Sequence, residues 1–161
     1  MAFDAYLKMD GIEGESARKG YEKSVEIMSF SWGASNSVSH SAVGGQSAGR
    51  ATPQSLSITK AFDKASPLFL KLLTLGKVTP KAELHCLKGT GSQQEPYLVI
   101  KLENVFVESL SWSSGSEEAV EHVSLVFSKV AVAYKVQDQT GALKAAGVPE
   151  VAFDFVKATD K

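Results

Sequence analysis

The chain has 161 residues, 43% of them hydrophobic and 22% charged, with a formal net charge of −1. This composition is typical of one globular domain spanning residues 1–161, and the near-neutral charge excludes the basic surface of a nucleic-acid-binding protein. No apolar run approaches the roughly 20 residues that a membrane-spanning helix needs, and a single cysteine excludes an internal disulfide.

The first ten residues, MAFDAYLKMD, lack the basic region and apolar core of a secretory signal. We therefore expect a protein that is cytoplasmic when made and is not inserted in a membrane. If it leaves the cell, it does so through a dedicated machine and without a cleaved signal peptide.

The N-terminal half begins with two predicted strands. Residues 3–10 alternate apolar and polar side chains, the period of two that indicates a half-buried strand. A second strand is predicted over about residues 25–32. It places the large side chains of Met28, Phe30 and Trp32 on one face, and the small residues on the other face are Ser29, Ser31 and Gly33.

Residues 34–50, ASNSVSHSAVGGQSAGR, are rich in Ser and Gly and predict an unusually long loop, which in a compact domain is typically functional or disordered. The spacing of Gly44 and Gly49 imitates a phosphate-binding loop. However, Arg50 and Ala51 stand where the motif has Lys and Ser or Thr, and a strand follows where the mechanism needs a helix. The pattern therefore favours a mobile loop over a nucleotide site.

A strand near residues 54–62 leads into a predicted helix over residues 66–75. Ser66 is predicted as its N-cap, Pro67 as its first helical residue and Gly76 as its stop. The helix is apolar on nearly every side, so we expect burial on more than one side, either by a curved sheet or by a neighbouring subunit.

The rest of the chain is again predicted to be strand, near residues 81–86, 97–112, 121–136 and 148–156. In the second of these, the predicted inward set is Leu98, Ile100, Leu102, Phe106, Leu110 and Trp112. The third shows a phase slip, explained either by a bulge near Ser128 or by burial of both faces. The pattern predicts a mainly β fold, a barrel or a sandwich, with one short buried helix.

Catalytic patterns are weak. Ser57 and Lys60 have a Ser-x-x-Lys spacing, but on a strand they point to opposite faces. His85 and Cys86 likewise point apart, and neither His40 nor His122 has a metal-ligand spacing. The acidic residues Glu108, Glu117, Glu118 and Glu121 border a Ser/Gly turn and are predicted to be solvated. We therefore expect no enzyme activity, no cofactor and no metal.

Four blocks carry a resemblance to a known family: AFDAYLKMDGIEGES, SFSWGASNS, the Gly-rich segment ending AGR, and ITKAFDKASP. In this order and spacing the chain resembles the haemolysin-coregulated protein (Hcp) family, the tube protein of type VI secretion systems. The resemblance implies a mainly β fold, a partly closed β-barrel of two sheets with one short buried helix. It further implies six-membered rings that stack into an expelled tube, with sheath and spike proteins as partners and effectors carried in the lumen. The similar fold of phage tail tube proteins leaves a phage-like contractile tail tube protein as the alternative.

Three groups of site residues follow. The small-residue face of Ser29, Ser31 and Gly33 is the candidate lumen lining, because small uncharged side chains leave a wide passage. The candidates for contact with a neighbouring subunit or ring lie in the long loop: Ser39, His40, Val43, Gly44, Gly45, Gln46 and Arg50. The helix start is predicted to carry rim charges and the cap: Lys60, Asp63, Lys64, Ser66 and Pro67.

Overall fold

The computed structural model of the protein describes residues 3–41, 44–89, 93–145, 147 and 149–160. Within these ranges there are twelve strands and one helix. In chain order they are β1 (Asp4–Met9), β2 (Val25–Ile27), β3 (Ser29–Ser31), β4 (Ala34–Ser41), β5 (Gly45–Pro53), β6 (Leu56–Ala61), α1 (Ser66–Leu75), β7 (Thr79–Gly89), β8 (Gln94–Ser114), β9 (Ala119–Val126), β10 (Lys129–Gln137), β11 (Leu143–Ala145) and β12 (Val151–Asp154).

Ten of these strands form one curved antiparallel sheet, with neighbours in the order β2-β1-β7-β8-β9-β6-β3, while β10 pairs with β8, β11 and β12. The two ends of that order, β2 and β3, are separated in sequence by Met28 alone. The sheet therefore curves back towards its own start. The remaining strands, β4 and β5, form a separate two-stranded sheet. The mainly β fold of two sheets and one short helix, predicted from the sequence, is confirmed.

The core lies inside this curve. Leu7, Val25, Leu56 and Leu84 are each fully buried, and Phe69 of α1 packs into the same cluster. Burying a side chain of this size contributes about 1.5–3 kcal/mol to folding. Alternation along β1 and β7 puts Leu7 and Leu84 inward, as the sequence predicted.

Two predicted strands are broken where the chain passes between parts of the sheet. The segment over residues 25–32 divides at Met28 into β2, which pairs with β1, and β3, which pairs with β6. The predicted strand over residues 121–136 divides at residues 127–128 into β9 and β10. The phase slip near Ser128 is therefore a break between two strands, and the predicted bulge there is wrong.

The predicted inward face of β8 is wrong at Phe106 and at Trp112, which are 38% and 47% exposed. The strand changes phase at Asn104, whose φ of 55° lies in the left-handed region, so that Val105 and Val107 are the buried residues. A register shift between Val107 and Ser109 then restores the original phase.

The predicted long loop over residues 34–50 is also wrong. β4 and β5 form a hairpin, with Ala34 opposite Pro53 and Ser39 opposite Ser47. Its exposed Ser-rich strands have few large apolar side chains, which is why the sequence pattern indicated a loop. Backbone pairing between the two strands, rather than a buried face, gives this segment its structure.

The helix α1 has the predicted bounds, since Pro67 lies in its first turn and Gly76 ends it at φ 59°. Its burial is one-sided, however. Ser66 and Phe69 are buried, whereas Leu70 and Leu75 are 40% and 55% exposed. No helix in the described ranges is long and apolar enough to cross a membrane.

Candidate functional site

The outward face of strands β3, β6, β9 and β8 carries two cross-strand rows of small polar side chains. Strand register places Ser31, Ser57, Ser124 and Ser109 in one row. The adjacent row is Ser29, Thr59, His122 and Ser111. We call these eight residues the hydroxyl face. Seven of them carry a hydroxyl group, and none is an acid, a lysine or an arginine.

Hydrogen bonds between neighbouring strands orient part of the hydroxyl face. Thr59 Oγ1 lies 3.0 Å from His122 Nδ1, and the hydroxyl oxygens of Ser57 and Ser124 are 3.5 Å apart. Ser29 and Ser31 are exposed at its edge. The result is a polar surface of small side chains that offers hydrogen bonds without a lysine, arginine or carboxylate.

The sequence placed Ser29, Ser31 and Gly33 together, and the structure separates the glycine from the two serines. Gly33 lies beyond β3, where its carbonyl oxygen accepts a hydrogen bond of 2.8 Å from the Gln54 backbone N–H. A Cβ atom at Gly33 would lie 3.1 Å from Gln54 Oε1. Gly33 thus belongs to the base of the β4–β5 hairpin, and the other six residues of the hydroxyl face were missed.

The β4–β5 hairpin holds the second group of predicted residues. Ser39 and Ser47 share a hydrogen bond of 2.6 Å across it, and Gly44 and Gly45 are exposed near its turn. Val38 is an exposed apolar side chain, 54% accessible. Val43 lies outside the described residues, as do the side chains of His40 and Gln46.

Arg50 is engaged within its own chain. Its guanidinium donates two hydrogen bonds, of 2.9 and 3.0 Å, to the carbonyl oxygens of Phe155 and Val156. These bonds connect the base of the hairpin to the turn that follows β12. Arg50 therefore holds the hairpin against the body of the chain.

The helix start contains a buried ion-pair cluster. The Lys60 ammonium lies 2.9 Å from Glu121 Oε1 and 2.9 Å from Asp63 Oδ1, and it also donates to Ser66 Oγ at 3.0 Å. Lys60 and Glu121 are both fully buried. The predictions of Lys60 as a rim charge and of Glu121 as a solvated turn residue are therefore wrong, because each supplies the opposite charge that makes burial of the other tolerable.

Ser66 is not the N-cap of α1. The cap position is Ala65, which makes no side-chain capping hydrogen bond. Ser66 is instead a fully buried residue of the first turn, and its hydroxyl accepts hydrogen bonds from the Asp63 backbone N–H and from Lys60. Lys64 and Pro67 are exposed, and Lys64 lies 3.9 Å from Glu13.

The remaining catalytic candidates have structural partners. His85 Nε2 lies 2.8 Å from Glu83, and its Nδ1 lies 3.1 Å from the Tyr21 hydroxyl. Cys86 is fully buried, and this burial raises the pKa of its thiol to about 11. Glu117 and Glu118 are exposed, as predicted. Among the described residues no group of three His, Cys, Asp or Glu side chains could hold a metal ion.

A search among known proteins places these features in a family. A family model described as type VI secretion system effector, Hcp, matches residues 6–134. Protein hcp1 of Pseudomonas aeruginosa is 38% identical over 144 residues, which cover 88% of this chain and 89% of the relative.

Solved structures share the whole architecture. A structure described as a type six secretion system protein has a TM-score of 0.90 at 29% identity and covers 99% of this chain and 100% of its own. Hcp1 from Salmonella typhimurium has a TM-score of 0.82 at 27% identity, with both chains covered completely. The chain therefore belongs to the Hcp family of type VI secretion system proteins.

Proposed function

We propose that this chain is a structural tube subunit of a type VI secretion system. Residues 1–161 act as one domain, six copies form a ring, and the rings stack into the expelled inner tube. The hydroxyl face lines the channel and carries effector proteins. The observation that carries the proposal is this face of eight small or neutral side chains across four strands.

The chemistry of the hydroxyl face suits a passage for varied cargo. Serine side chains are short, so they leave the channel wide. Their hydroxyl groups rotate and can donate hydrogen bonds to water or cargo, or accept them. A charged lining would retain cargo of the opposite charge, whereas an apolar lining would bind unfolded segments. A neutral lining of hydroxyl groups binds cargo proteins weakly and releases them.

The free edges of the four-stranded part of the sheet support ring formation. In the described part of the chain, β3 pairs only with β6, and β8 beyond Val105 pairs only with β9. Unpaired edges are sites for association with another chain. When an edge of one copy associates with the opposite edge of the next copy, the contact is heterologous. Repeated heterologous contacts form a closed ring if the rotation between neighbouring copies closes the circle.

Two further features fit assembly. Leu70, Leu75 and Val78 are 40%, 55% and 48% exposed on and after α1, and a neighbouring subunit would cover them. The hairpin carries our candidates for contact with the next ring, including Ser39, Gly44 and Gly45. His40, Val43 and Gln46 remain candidates on the same segment.

The same proposal covers partners and location. We propose that the protein is made in the cytoplasm, is exported by the secretion machine, contacts sheath and spike proteins, and is not an enzyme. The buried Cys86 thiol supports the last of these points, because burial raises its pKa to about 11 and leaves little reactive thiolate. A phage-like tail tube subunit is the second candidate. The family match favours the secretion system.

The lumen assignment is tested with Ser31→Gln. Ser31 is exposed at the edge of the hydroxyl face, so a longer side chain narrows the channel without disturbing the core. We expect the ring mass to stay unchanged and the recovery of proteins that co-purify with the wild-type chain to fall. Ser116→Gln, on the exposed turn outside the face, is the control. Unchanged recovery with Ser31→Gln would contradict the assignment.

A further inference from the structure

An exposed tryptophan marks one flank of the four-stranded part of the sheet. Trp112 lies on β8 and is 47% exposed. Its ring meets that of Phe62 edge to face, with centroids 5.3 Å apart, and Phe62 is itself 44% exposed. Two large aromatic side chains with this exposure form an apolar surface patch that is unfavourable to hydrate.

A hydrogen bond to a buried carboxylate fixes the orientation of Trp112. Its indole Nε1 donates a hydrogen bond to Glu121 Oε2, and the other oxygen of that carboxylate lies 2.9 Å from the Lys60 ammonium. Lys60 and Glu121 are fully buried, so the ion pair that holds the indole in place is shielded from solvent. A side chain held in place before binding loses little conformational entropy on association, which is the property of an interface anchor.

The opposite flank of the same strands carries an apolar counterpart. Met28 is 55% exposed and precedes β3, and its backbone N–H donates to the Thr59 carbonyl oxygen at 2.8 Å. Phe3, which is 45% exposed, packs beside Phe30 with ring centroids 6.1 Å apart. Methionine adapts its shape to an aromatic partner and makes favourable sulfur–aromatic contacts.

Strand register places the two flanks at the same level. Lys60 and Trp112 are both paired with Glu121, one on each side of it. Because Phe30 is paired with Ile58, Met28 falls opposite Lys60 when the register is continued. Trp112 and Met28 thus lie at the two ends of one cross-strand row.

We infer that Trp112 of one copy packs against Met28 of the next copy around the ring, an inference that rests on the proposed ring. The occupant is a second copy because the exposed apolar groups sit at one level on the two unpaired edges of the same strands. Trp112 and Met28 lie on opposite edges of one copy, so they can meet only between neighbouring copies. A closed ring with heterologous contacts requires such a pair of different surfaces.

The first test is Met28→Asp, which places a charge opposite the indole at a position that is already solvent-exposed. We expect light scattering to show a single chain of 17.2 kDa in place of the assembly, with an unchanged circular dichroism spectrum. Val151→Asp, at a 61% exposed apolar position on β12, is the matched control and keeps the assembly. A Met28→Asp protein that assembles like the wild type overturns the inference.

The second test is cross-linking with a short bis-maleimide. Met28→Cys and Trp112→Cys are prepared as separate proteins and mixed, and Cys86 does not interfere because it is fully buried. Mixed assemblies give covalent dimers of the two variants, whereas each variant alone gives none, since position 28 meets position 112 and not itself. If Met28→Cys links to itself, the inference is overturned.

The two proposals fail in different ways. If the wild type forms rings, the Met28→Asp protein forms them too, and the mixed cysteine variants do not cross-link, then the subunits meet at another surface. The contact is then wrong, and the proposed ring is retained. If the wild type is a single chain under all conditions, both the ring and the contact fail. If Met28→Asp keeps the ring but loses a co-purifying protein, this flank binds a different partner and the inference is wrong.

Discussion

The Lys60 ammonium and the Glu121 carboxylate are 2.9 Å apart, and both side chains are fully buried. They are 61 residues apart in sequence, on neighbouring strands β6 and β9. The ammonium also contacts Asp63 and Ser66 and donates to the Ala61 carbonyl oxygen, so that one lysine connects two strands and the start of α1. The stretch ITKAFDKASP is therefore an architectural junction.

Lys60→Met should destabilise the fold strongly, because it leaves two buried or nearly buried carboxylates without their cation. We expect a loss of about 3–5 kcal/mol in the free energy of unfolding, the usual cost of breaking a buried pair. Urea unfolding of the two proteins measures it. Lys64→Met is the control: that side chain is 51% exposed and should change stability by only about 0–1 kcal/mol.

Ser66→Ala should cost more than the loss of an ordinary helix cap. Its hydroxyl accepts from Lys60 and from the Asp63 backbone N–H. In the variant this N–H loses its acceptor, and the Lys60 ammonium loses one of its four partners. A hydrogen bond to a charged group contributes about 1.5–3 kcal/mol. Thr74→Ala, which removes an exposed hydroxyl on the same helix, should be far milder in the same unfolding experiment. Equal effects would contradict the buried cluster.

Gly49→Ala should disrupt the hairpin. A Cβ atom at Gly49 would lie 2.7 Å from the Ser37 carbonyl oxygen, so the backbone of β4 has to shift. We expect faster amide hydrogen exchange in β4 and β5 and weaker stacking of rings whose own mass is unchanged. Gly45→Ala is the control, since nothing lies within 4 Å of a Cβ there. Normal stacking by Gly49→Ala would argue against a hairpin role between rings.

The Cys86 thiol should resist modification in the folded protein. Burial raises its pKa to about 11 from an ordinary value of 9.0, so the reactive thiolate is scarce at pH 8. We expect slow reaction with a thiol reagent in buffer and fast reaction in denaturant. The unfolded thiol ionises first as pH rises, so this group favours folding below pH 9, and the contribution is lost as pH rises towards 11. Rapid labelling of the folded protein would contradict its burial.

Asp138 should titrate at unusually low pH. Hydrogen bonds from Thr140 and Lys144 lower its pKa from 3.8 to about 2. A depressed pKa means that the carboxylate favours folding above pH 3.8 and loses this contribution as pH falls towards 2. Carboxyl chemical shifts from NMR measure the midpoint, and Thr140→Ala should raise it. An unchanged midpoint in that variant would contradict the assigned cause.

Local patterns predicted the parts of the fold that depend on local chemistry. Alternation in β1 placed Leu7 inward, and Pro67 and Gly76 correctly bounded α1, because backbone preferences at these positions act within a few residues. The pairing of Lys60 with Glu121 was missed because it depends on strand register between distant segments. A lysine on a strand is ordinarily exposed, and the sequence alone offers no partner for it.

The hydroxyl face was partly visible in the sequence. Ser29 and Ser31 were identified, whereas Ser57, Thr59, Ser109 and the others required knowledge of which strands are neighbours. A signal was present: hydroxyl residues recur at a spacing of two in several separate strands, and in β6 Ser57 and Thr59 alternate with the buried Leu56 and Ile58. The hairpin was missed since its strands lack a buried face that would produce alternation.

The most direct test of the proposed function is the solution mass of the purified protein, measured by light scattering after size exclusion, with negative-stain images of the same peak. The account predicts a mass near that of six chains and annular particles. A stable single chain of 17.2 kDa at all concentrations, with no annular particles, would contradict it.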